Sequence, residues 1–232
     1  MKLLFLVPVT AEYEERKKDI IAYLSPYLHP ETKIEFAQVA EGFPSVETEL
    51  QGMVNGCQVV NIVNSLDDSY AGVYVNCFDD PGVYACRELR KIPVIGPYQA
   101  SLHTAAVLSD RIGVITTDRA GILSEERKAT QLGFVNRIVS IEPVDLAVAD
   151  IRANQEAVIE SVISICRKMV EEDRVTTICL GCTAMFYVVD NLRKRLKEEN
   201  IQVTVIEPML NAVKFLENMA MLGYTNYIPG TF

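Results

Sequence analysis

The feature that most constrains this chain is an internal echo. One stretch reads Val73-Tyr74-Val75-Asn76-Cys77, then a helical pattern, then Ile92-Pro93-Val94-Ile95-Gly96-Pro97. A second reads Thr177-Ile178-Cys179-Leu180-Gly181-Cys182, then a helical pattern, then Val203-Thr204-Val205-Ile206-Glu207-Pro208. The two cysteines are 105 positions apart and the two prolines 111. A third landmark, the run ending Val9-Thr10, matches the run ending Thr116-Thr117 at an offset of 107. Self-similarity at nearly one offset marks a duplicated structural unit. It predicts two similar α/β lobes, each carrying a cysteine at the carboxyl end of a strand.

The hydrophobic rhythm agrees. Short apolar runs bounded by turn residues alternate with longer stretches in which apolar residues recur every three to four positions, a βαβ pattern. Strands are expected near 2–9, 32–39, 71–77, 92–96, 111–117, 137–141, 175–181 and 202–206. Helices are expected near 11–27, 46–65, 81–90, 98–109, 120–132, 151–172, 183–199 and 208–222. Runs that are apolar throughout, such as Ile112-Gly113-Val114-Ile115, suit parallel strands covered on both faces. The predicted class is α/β, with two pseudo-symmetric Rossmann-like lobes of mainly parallel sheet, the first from residues 1–97 plus 207–232 and the second from 98–206. Ligands bind beyond the carboxyl ends of strands in such sheets, so the site is expected in a cleft between the lobes. The tail 224–232 is short and punctuated by Gly and Pro.

Composition narrows the partners. With 31 acidic against 22 basic residues the net charge is −9, which on average repels a phosphate backbone or an anionic membrane. Nucleic acid and membrane are therefore excluded, and a small-molecule substrate is expected. The apolar opening, residues 1–9, resembles a signal-peptide core but runs straight into Thr10-Ala11-Glu12-Tyr13-Glu14-Glu15 with no small-residue cleavage site, so it reads as a buried strand. Six cysteines in 232 residues make no disulfide scaffold. Reduced thiols, a cytoplasmic setting and a homo-oligomer are expected. The single Cys179-x-x-Cys182 pair, with only His29 and His103 elsewhere, is too sparse for a four-ligand zinc site.

Two of the cysteines invite chemistry. A thiol at a strand-to-helix turn lies near the positive end of a helix dipole, which raises its thiolate fraction. Inversion at carbon needs a base on one face and an acid on the other, and a thiolate with a thiol meets that need. Backbone amides and the hydroxyls of Thr10, Thr116, Thr117 and Thr183 are candidate stabilisers of the carbanion between the two proton transfers. No dinucleotide glycine fingerprint or P-loop is present, and no cofactor or metal is expected. Asp80-Pro81 reads as a helix N-cap followed by the first helical residue. Cys57, Cys86, Cys166 and Cys179 fall inside predicted helices or a strand and read as small core residues.

The same residues carry a resemblance. Asn76-Cys77-Phe78-Asp79-Asp80-Pro81-Gly82 resembles the first cysteine motif of hydantoin racemases, and Leu180-Gly181-Cys182-Thr183-Ala184-Met185 resembles their second. The Gly-Cys-Thr triplet is also similar to that of aspartate and glutamate racemases. The resemblance, to the aspartate/glutamate/hydantoin racemase superfamily, spans nearly the whole chain. It implies two Rossmann-like lobes, with the C-terminal segment returning to complete the first, and a cofactor-independent racemase or isomerase. It places Cys77 and Cys182 on the two catalytic thiols. Asp80, Thr117, Gly181 and Thr183 fall on pocket positions, and Pro8, Thr10, Phe78 and Thr116 complete the candidate substrate-binding set.

Departures from the hydantoin racemase pattern touch the substrate. Where those enzymes have Asn-Pro-Asn after the first strand, this chain has Val7-Pro8-Val9-Thr10, and where they have Gly-Glu-Ala it has Tyr98-Gln99-Ala100-Ser101. The expected substrate is thus a hydantoin-like or amino-acid-like carbon acid. The alternatives are a maleate-type cis-trans isomerase or decarboxylase of the same superfamily, and a non-catalytic ligand-binding or redox-sensing α/β protein.

Overall fold

The computed structural model describes residues 1–226, without the side chain of Ala149. The chain divides into two compact units, Met1–Pro97 together with the segment from Leu210, and Tyr98–Met209. In the first, chain order runs β1 (Lys2–Val7), α1 (Glu14–Leu24), β2 (Lys33–Gln38), α2 (Glu49–Asn64), β3 (Gly72–Val75), α3 (Val83–Leu89) and β4 (Val94–Ile95). In the second it runs α4 (Pro97–Leu108), β5 (Ile112–Thr116), α5 (Arg119–Leu132), β6 (Ile138–Pro143), α6 (Gln155–Glu171), β7 (Thr177–Leu180), α7 (Val189–Glu198) and β8 (Thr204–Ile206). Helix α8 (Pro208–Met221) leads back into the first unit.

Each unit holds one four-stranded parallel sheet, ordered β2-β1-β3-β4 in the first and β6-β5-β7-β8 in the second. The two orders are the same. Central strands β1, β3, β5 and β7 are buried almost end to end, as parallel strands covered by helices on both faces must be. Edge strand β2, Lys-Ile-Glu-Phe-Ala-Gln, alternates between half-buried and exposed. Local signals place the helices. Thr48 and Gln51 form a reciprocal capping box at the start of α2. Asp118 caps α5 by accepting the Gly121 amide at 2.8 Å, and Gly133 ends it with φ of 76°. Helix α6 turns Val158, Ile159, Val162, Ile163, Cys166 and Met169 inward, the spacing of one buried helical face.

Helix α8 is tied to the first unit by a buried carboxylate. Glu217 accepts the His29 amide at 3.0 Å and pairs with Lys214, which also donates to the Tyr27 carbonyl at 2.8 Å. Burial pushes the Glu217 carboxyl up, but the hydrogen bonds from Lys214 and His29 outweigh it and hold it below the usual range. Beyond α8, the Asn226 side chain donates to the carbonyls of Arg90 and Ile92 at 3.1 and 2.6 Å. The rest of the Gly/Pro-punctuated tail, residues 227–232, lies outside the described residues.

Three expected elements differ. The helix expected over 11–27 is an α-helix over Glu14–Leu24 closed by a 3-10 turn at Ser25–Tyr27, where Pro26 has no amide to continue the ladder. The helix expected over 183–199 is a 3-10 turn, Thr183–Tyr187, followed by α7. The break falls at Val188, with φ of −113°, in a β-branched pair that costs a helix side-chain freedom. The Asp80-Pro81 cap is not formed, as the loop geometry below explains. Among the described residues no helix is long and apolar enough to cross a membrane.

Candidate active site

In both units the cysteine stands two residues beyond the third strand in the shared sheet order, Cys77 after β3 and Cys182 after β7. Strand pairing fixes the other correspondences. Leu6 pairs with Val75 and Ile115 with Leu180, while Tyr74 pairs with Ile95 and Cys179 with Ile206. Position for position, Gly96 and Pro97 therefore match Glu207 and Pro208, and each proline opens a helix. The Thr10 and Thr117 correspondence expected from the sequence is corrected by this register. Thr117 is the counterpart of Pro8, because the first strand of each lobe ends at a different distance from its threonine.

In the first unit, residues 77–82 form a tight loop. The Asp80 amide bonds to the Cys77 carbonyl at 3.0 Å and the Val83 amide to the Asp80 carbonyl at 3.2 Å. Asp80 has φ of 50° and Gly82 φ of 74°, so α3 starts at Val83 with Gly82, not Asp80, as its cap residue. These two positive-φ bends, one on either side of Pro81, bring the loop onto α2, and Asp is among the few non-glycine residues that adopt this region. The fit is close. A Cβ on Gly56 would lie 3.0 Å from the Gly82 amide nitrogen, and one on Gly52 would lie 2.6 Å from an Asp79 carboxylate oxygen. The Asp80 carboxylate is tucked over Gly96, where a Cβ would meet it at 2.1 Å. Phe78 and Asp80 are buried and Cys77 is half-buried.

The residue before the cysteine is fixed by its own network. The Tyr74 hydroxyl donates to the Asn76 side-chain carbonyl at 2.9 Å, and the Asn76 amide donates to the Tyr13 hydroxyl at 3.0 Å. The segment after β1 is held by Asn55 of α2, which is fully buried. Its amide donates to the carbonyls of Pro8 and Phe43 at 2.7 and 3.0 Å, and its oxygen accepts the Phe43 amide at 2.8 Å. The Thr10 amide donates to the Phe43 carbonyl at 3.1 Å, and Gln38 clamps the carbonyls of Val9 and Ala11. The first unit thus gathers Pro8, Thr10, Cys77, Phe78 and Asp80 at the carboxyl edge of β1 and β3.

The second unit does the same with Thr116, Thr117, Gly181, Cys182 and Thr183 at the carboxyl edge of β5 and β7. The Gly181 amide bonds to the Ile115 carbonyl at 2.7 Å, and a Cβ there would sit 2.6 Å from that same oxygen. Only glycine lets the two strand ends close this tightly. Cys182 is buried in extended conformation at the head of the 3-10 turn, whose first bond runs from the Met185 amide to the Cys182 carbonyl. Thr116 is buried, with its hydroxyl against Gly121 in the first turn of α5, and Thr117 and Thr183 are half-buried. The first amides of any helical turn lack an intrahelical acceptor, which suits them to a developing negative charge.

Neither cysteine stands at the N-terminus of a long helix, contrary to the expectation from sequence. Cys77 precedes the first residue of α3 by a whole loop, and α3 has 7 residues. Cys182 is followed by a 3-10 turn rather than a long helix. Dipole effects fall off within a turn, so local amides carry more weight than any macrodipole.

The other thiols sort by burial. Cys86 and Cys166 are pushed up to about 12, and Cys179 is also raised, in each case chiefly by desolvation. They are held protonated as packing groups. Cys57, expected in the core, is exposed on α2, because the inner face of that helix is taken by Gly52, Asn55, Gly56, Val59 and Val63.

Residues 15–216 match the family described as Asp/Glu/Hydantoin racemase. The chain belongs to the Asp/Glu/hydantoin racemase family. A hydantoin racemase of Pseudomonas sp. (strain NS671) is 32% identical over 149 residues, which cover 64% of this chain and 58% of that protein. The allantoin racemase of Klebsiella pneumoniae superposes with a TM-score of 0.88 at 24% identity, covering 100% of this chain and 95% of its own. The glutamate racemase of Francisella tularensis superposes with a TM-score of 0.66 at 19% identity, covering 96% and 81%. At these identities the structural likenesses establish the fold.

Within this family fold, sequence reading missed the residues that hold the motifs in place. Gly52 and Gly56 carried a signal, a Gly-x-x-x-Gly spacing that marks one close-packed helix face. Asn55, between them, carried none, since an asparagine in an apolar helix reads as surface. Glu207 is buried with its carboxylate accepting the Met209 amide at 2.9 Å. It was legible in the repeat itself, as the acid that replaces Gly96. Unit one fills that place with Asp80 from the cysteine loop, and unit two with the side chain of Glu207 itself, the residue between β8 and α8.

Proposed function

We propose that this chain is a cofactor-independent racemase in which Cys77 and Cys182 exchange a proton with one carbon acid from opposite faces. The observation that carries the reading is the repeated sheet order with a cysteine two residues past the same strand in each unit. Membership of the racemase family supports it. In one direction the thiolate of one cysteine takes the Cα proton, leaving a carbanion conjugated with the adjacent carbonyl. The thiol of the other cysteine then returns a proton to the opposite face, and the pair ends with its protonation reversed. Amides of the 77–82 loop and of the Thr183–Tyr187 turn, with the hydroxyls of Thr10, Thr117 and Thr183, stabilise the intermediate charge.

The proposed substrate is a hydantoin-like or amino-acid-like carbon acid. The curated hydantoin racemase similar to this chain supports the cyclic class. Val7 and Val9 stand where hydantoin racemases carry asparagines, so ring polar groups must find other partners here.

The test incubates the protein with single enantiomers of 5-substituted hydantoins, allantoin, aspartate and glutamate, and with maleate, following optical rotation and product by NMR. Loss of rotation for one substrate, abolished in Cys77→Ala and in Cys182→Ala, is expected. Conversion of maleate without racemisation of any enantiomer would replace this reading with the isomerase. Inertness across the panel, with both thiols freely alkylated, would refute it.

A further inference from the structure

We propose that Asn76 is a substrate-recognition residue, its side-chain amide donating to the carbonyl oxygen beside the reacting carbon. This rests on the racemase reading above and adds a residue that is neither a cysteine nor one of the candidate threonines. In a doubly wound sheet the ligand crevice opens where neighbouring strands send their connections to opposite faces. In the first unit that point lies between β1 and β3. Helices α2 and α3 pack on the face of Leu4 and Val73 through Val59 and Val83. Helix α1 covers the other face, where its Lys17 lies over the Phe36 ring and Phe5 packs on both Phe36 and Tyr74. The hydrogen bond from Asn76 to Tyr13, 3.0 Å long, ties the end of β3 to the start of α1. It therefore spans the crevice. The Cys77 amide then turns back to the Val75 carbonyl at 3.0 Å, a three-residue turn with Asn76 at its apex and the thiol-bearing residue next.

The side chain is held at both ends. Its oxygen accepts the buried Tyr74 hydroxyl at 2.9 Å and its nitrogen donates to the buried Tyr13 hydroxyl. An asparagine amide carries two N–H donors. Among the described residues one reaches Tyr13 and the other has no acceptor. Asn76 is half-buried, so a ligand entering the crevice displaces water from that second donor and offers it a carbonyl instead. The segments 7–13 and 75–82 that border the crevice contain Glu12, Asp79 and Asp80 and no Lys or Arg. Their charge opposes a carboxylate and favours a neutral amide carbonyl, the kind a cyclic diamide presents. The donor is one-sided. By strand register, Cys179 stands in the place of Tyr74 and Gly181 in the place of Asn76, so the second unit has no equivalent. Val7 and Val9, at the neighbouring strand end, offer no side-chain donor, and Asn76 supplies the amide that the end of β1 lacks.

The test uses 5,5-dimethylhydantoin, a neutral cyclic diamide with no proton at the reacting carbon, so that binding is read without turnover. The full chain, labelled with nitrogen-15, is titrated with it by NMR, and the Asn76 side-chain resonances are assigned by their loss in Asn76→Ala. Those resonances should shift as the probe saturates. The dissociation constant should rise at least about 5-fold in Asn76→Ala, and by less in Tyr74→Phe, which removes one anchor and keeps the donor. Far-UV circular dichroism controls for folding, and Asn76→Gly, the residue the second unit carries at this place, is the second variant. For a substrate that the wild type racemises, Asn76→Ala should lower kcat about 100-fold, as loss of a donor to a developing oxyanion does, with a smaller change in KM. A wild type that does not bind the probe at millimolar concentration, binding unaltered by both Asn76 substitutions, or an unchanged kcat in Asn76→Ala overturns the proposal and leaves the racemase reading standing. Probe binding that depends on Asn76 in a protein that racemises nothing supports the recognition residue and refutes the racemase.

Discussion

Replacing Gly96 by alanine tests whether the cysteine loop is seated as described. Gly96 has no positive φ, so its backbone suits alanine, and the loss of unfolded-state freedom alone would stabilise the protein by about 0.4–1 kcal/mol. The site opposes this. The new Cβ would lie 2.1 Å from an Asp80 carboxylate oxygen, 2.3 Å from its carboxyl carbon and 2.9 Å from its Cβ. A side-chain rotation can relieve the first two contacts. The third is close to the backbone, so the loop itself must move, and Asp80 is already at φ of 50° and buried. Overpacking of this kind costs about 1–3 kcal/mol. The net expectation is a loss of about 1–2 kcal/mol, or roughly 2–8 °C in Tm for a chain of this size. Urea and thermal melts measure it, and the rate of Cys77 alkylation in a Cys57→Ser background reports the loop. Asp80→Ala should recover part of the loss in the double variant, a coupling expected only of residues in contact. A Gly96→Ala protein as stable as wild type, with unchanged Cys77 reactivity, would refute this reasoning.

Other perturbations have defined signs. Asn55→Ala leaves the Pro8 carbonyl and the Phe43 amide without their Asn55 partner, while the Phe43 carbonyl keeps the Thr10 amide, and unpaired buried groups cost about 1–3 kcal/mol each, so a loss of about 2 kcal/mol or more is expected in urea titration. Glu217→Gln should cost about 1.5–3 kcal/mol at pH 7, the range for hydrogen bonds to charged groups. The Glu217 carboxyl is depressed in the folded state, so its contribution is present above the unfolded value of 4.5 and lost as pH falls. The gap between wild type and variant should therefore close in melts below pH 4. The buried thiols act at the other extreme. With Cys86 and Cys166 raised from 9.0 to about 12, each contributes stability that is complete below pH 9 and disappears as pH rises toward 12. Cys166→Ala should flatten the alkaline stability slope by about 1.4 kcal/mol per pH unit in that window.

Much of the architecture was legible because parallel strands advertise themselves. A run such as Leu3-Leu4-Phe5-Leu6-Val7 cannot be left exposed, and periods of two and 3.6 separate the elements without knowledge of contacts. The repeat exposed the candidate cysteines for the same reason, since Cys77 and Cys182 lie at one structural point of one sheet order. What sequence did not yield depends on contacts distant along the chain. Asp80-Pro81 has the composition of a helix start, but packing against Gly52, Gly56 and Gly96 forces Asp80 into αL and moves the helix start to Val83. Cys57 reads as core until Asn55 and its neighbouring glycines are seen to occupy the inner face of α2. Asn55 itself is invisible in sequence, because its three hydrogen bonds reach Pro8 and Phe43, 47 and 12 positions away.

The central claim is that two thiols work on opposite faces, and isotope exchange in single-cysteine variants tests it most directly. Each pure enantiomer of the accepted substrate is incubated in deuterated water with Cys77→Ala and with Cys182→Ala, and both deuterium uptake at Cα and optical rotation are followed. The account predicts that neither variant racemises, and that any surviving exchange is confined to one enantiomer in Cys77→Ala and to the other in Cys182→Ala. Racemisation by either variant, or exchange of the same enantiomer by both, would contradict it.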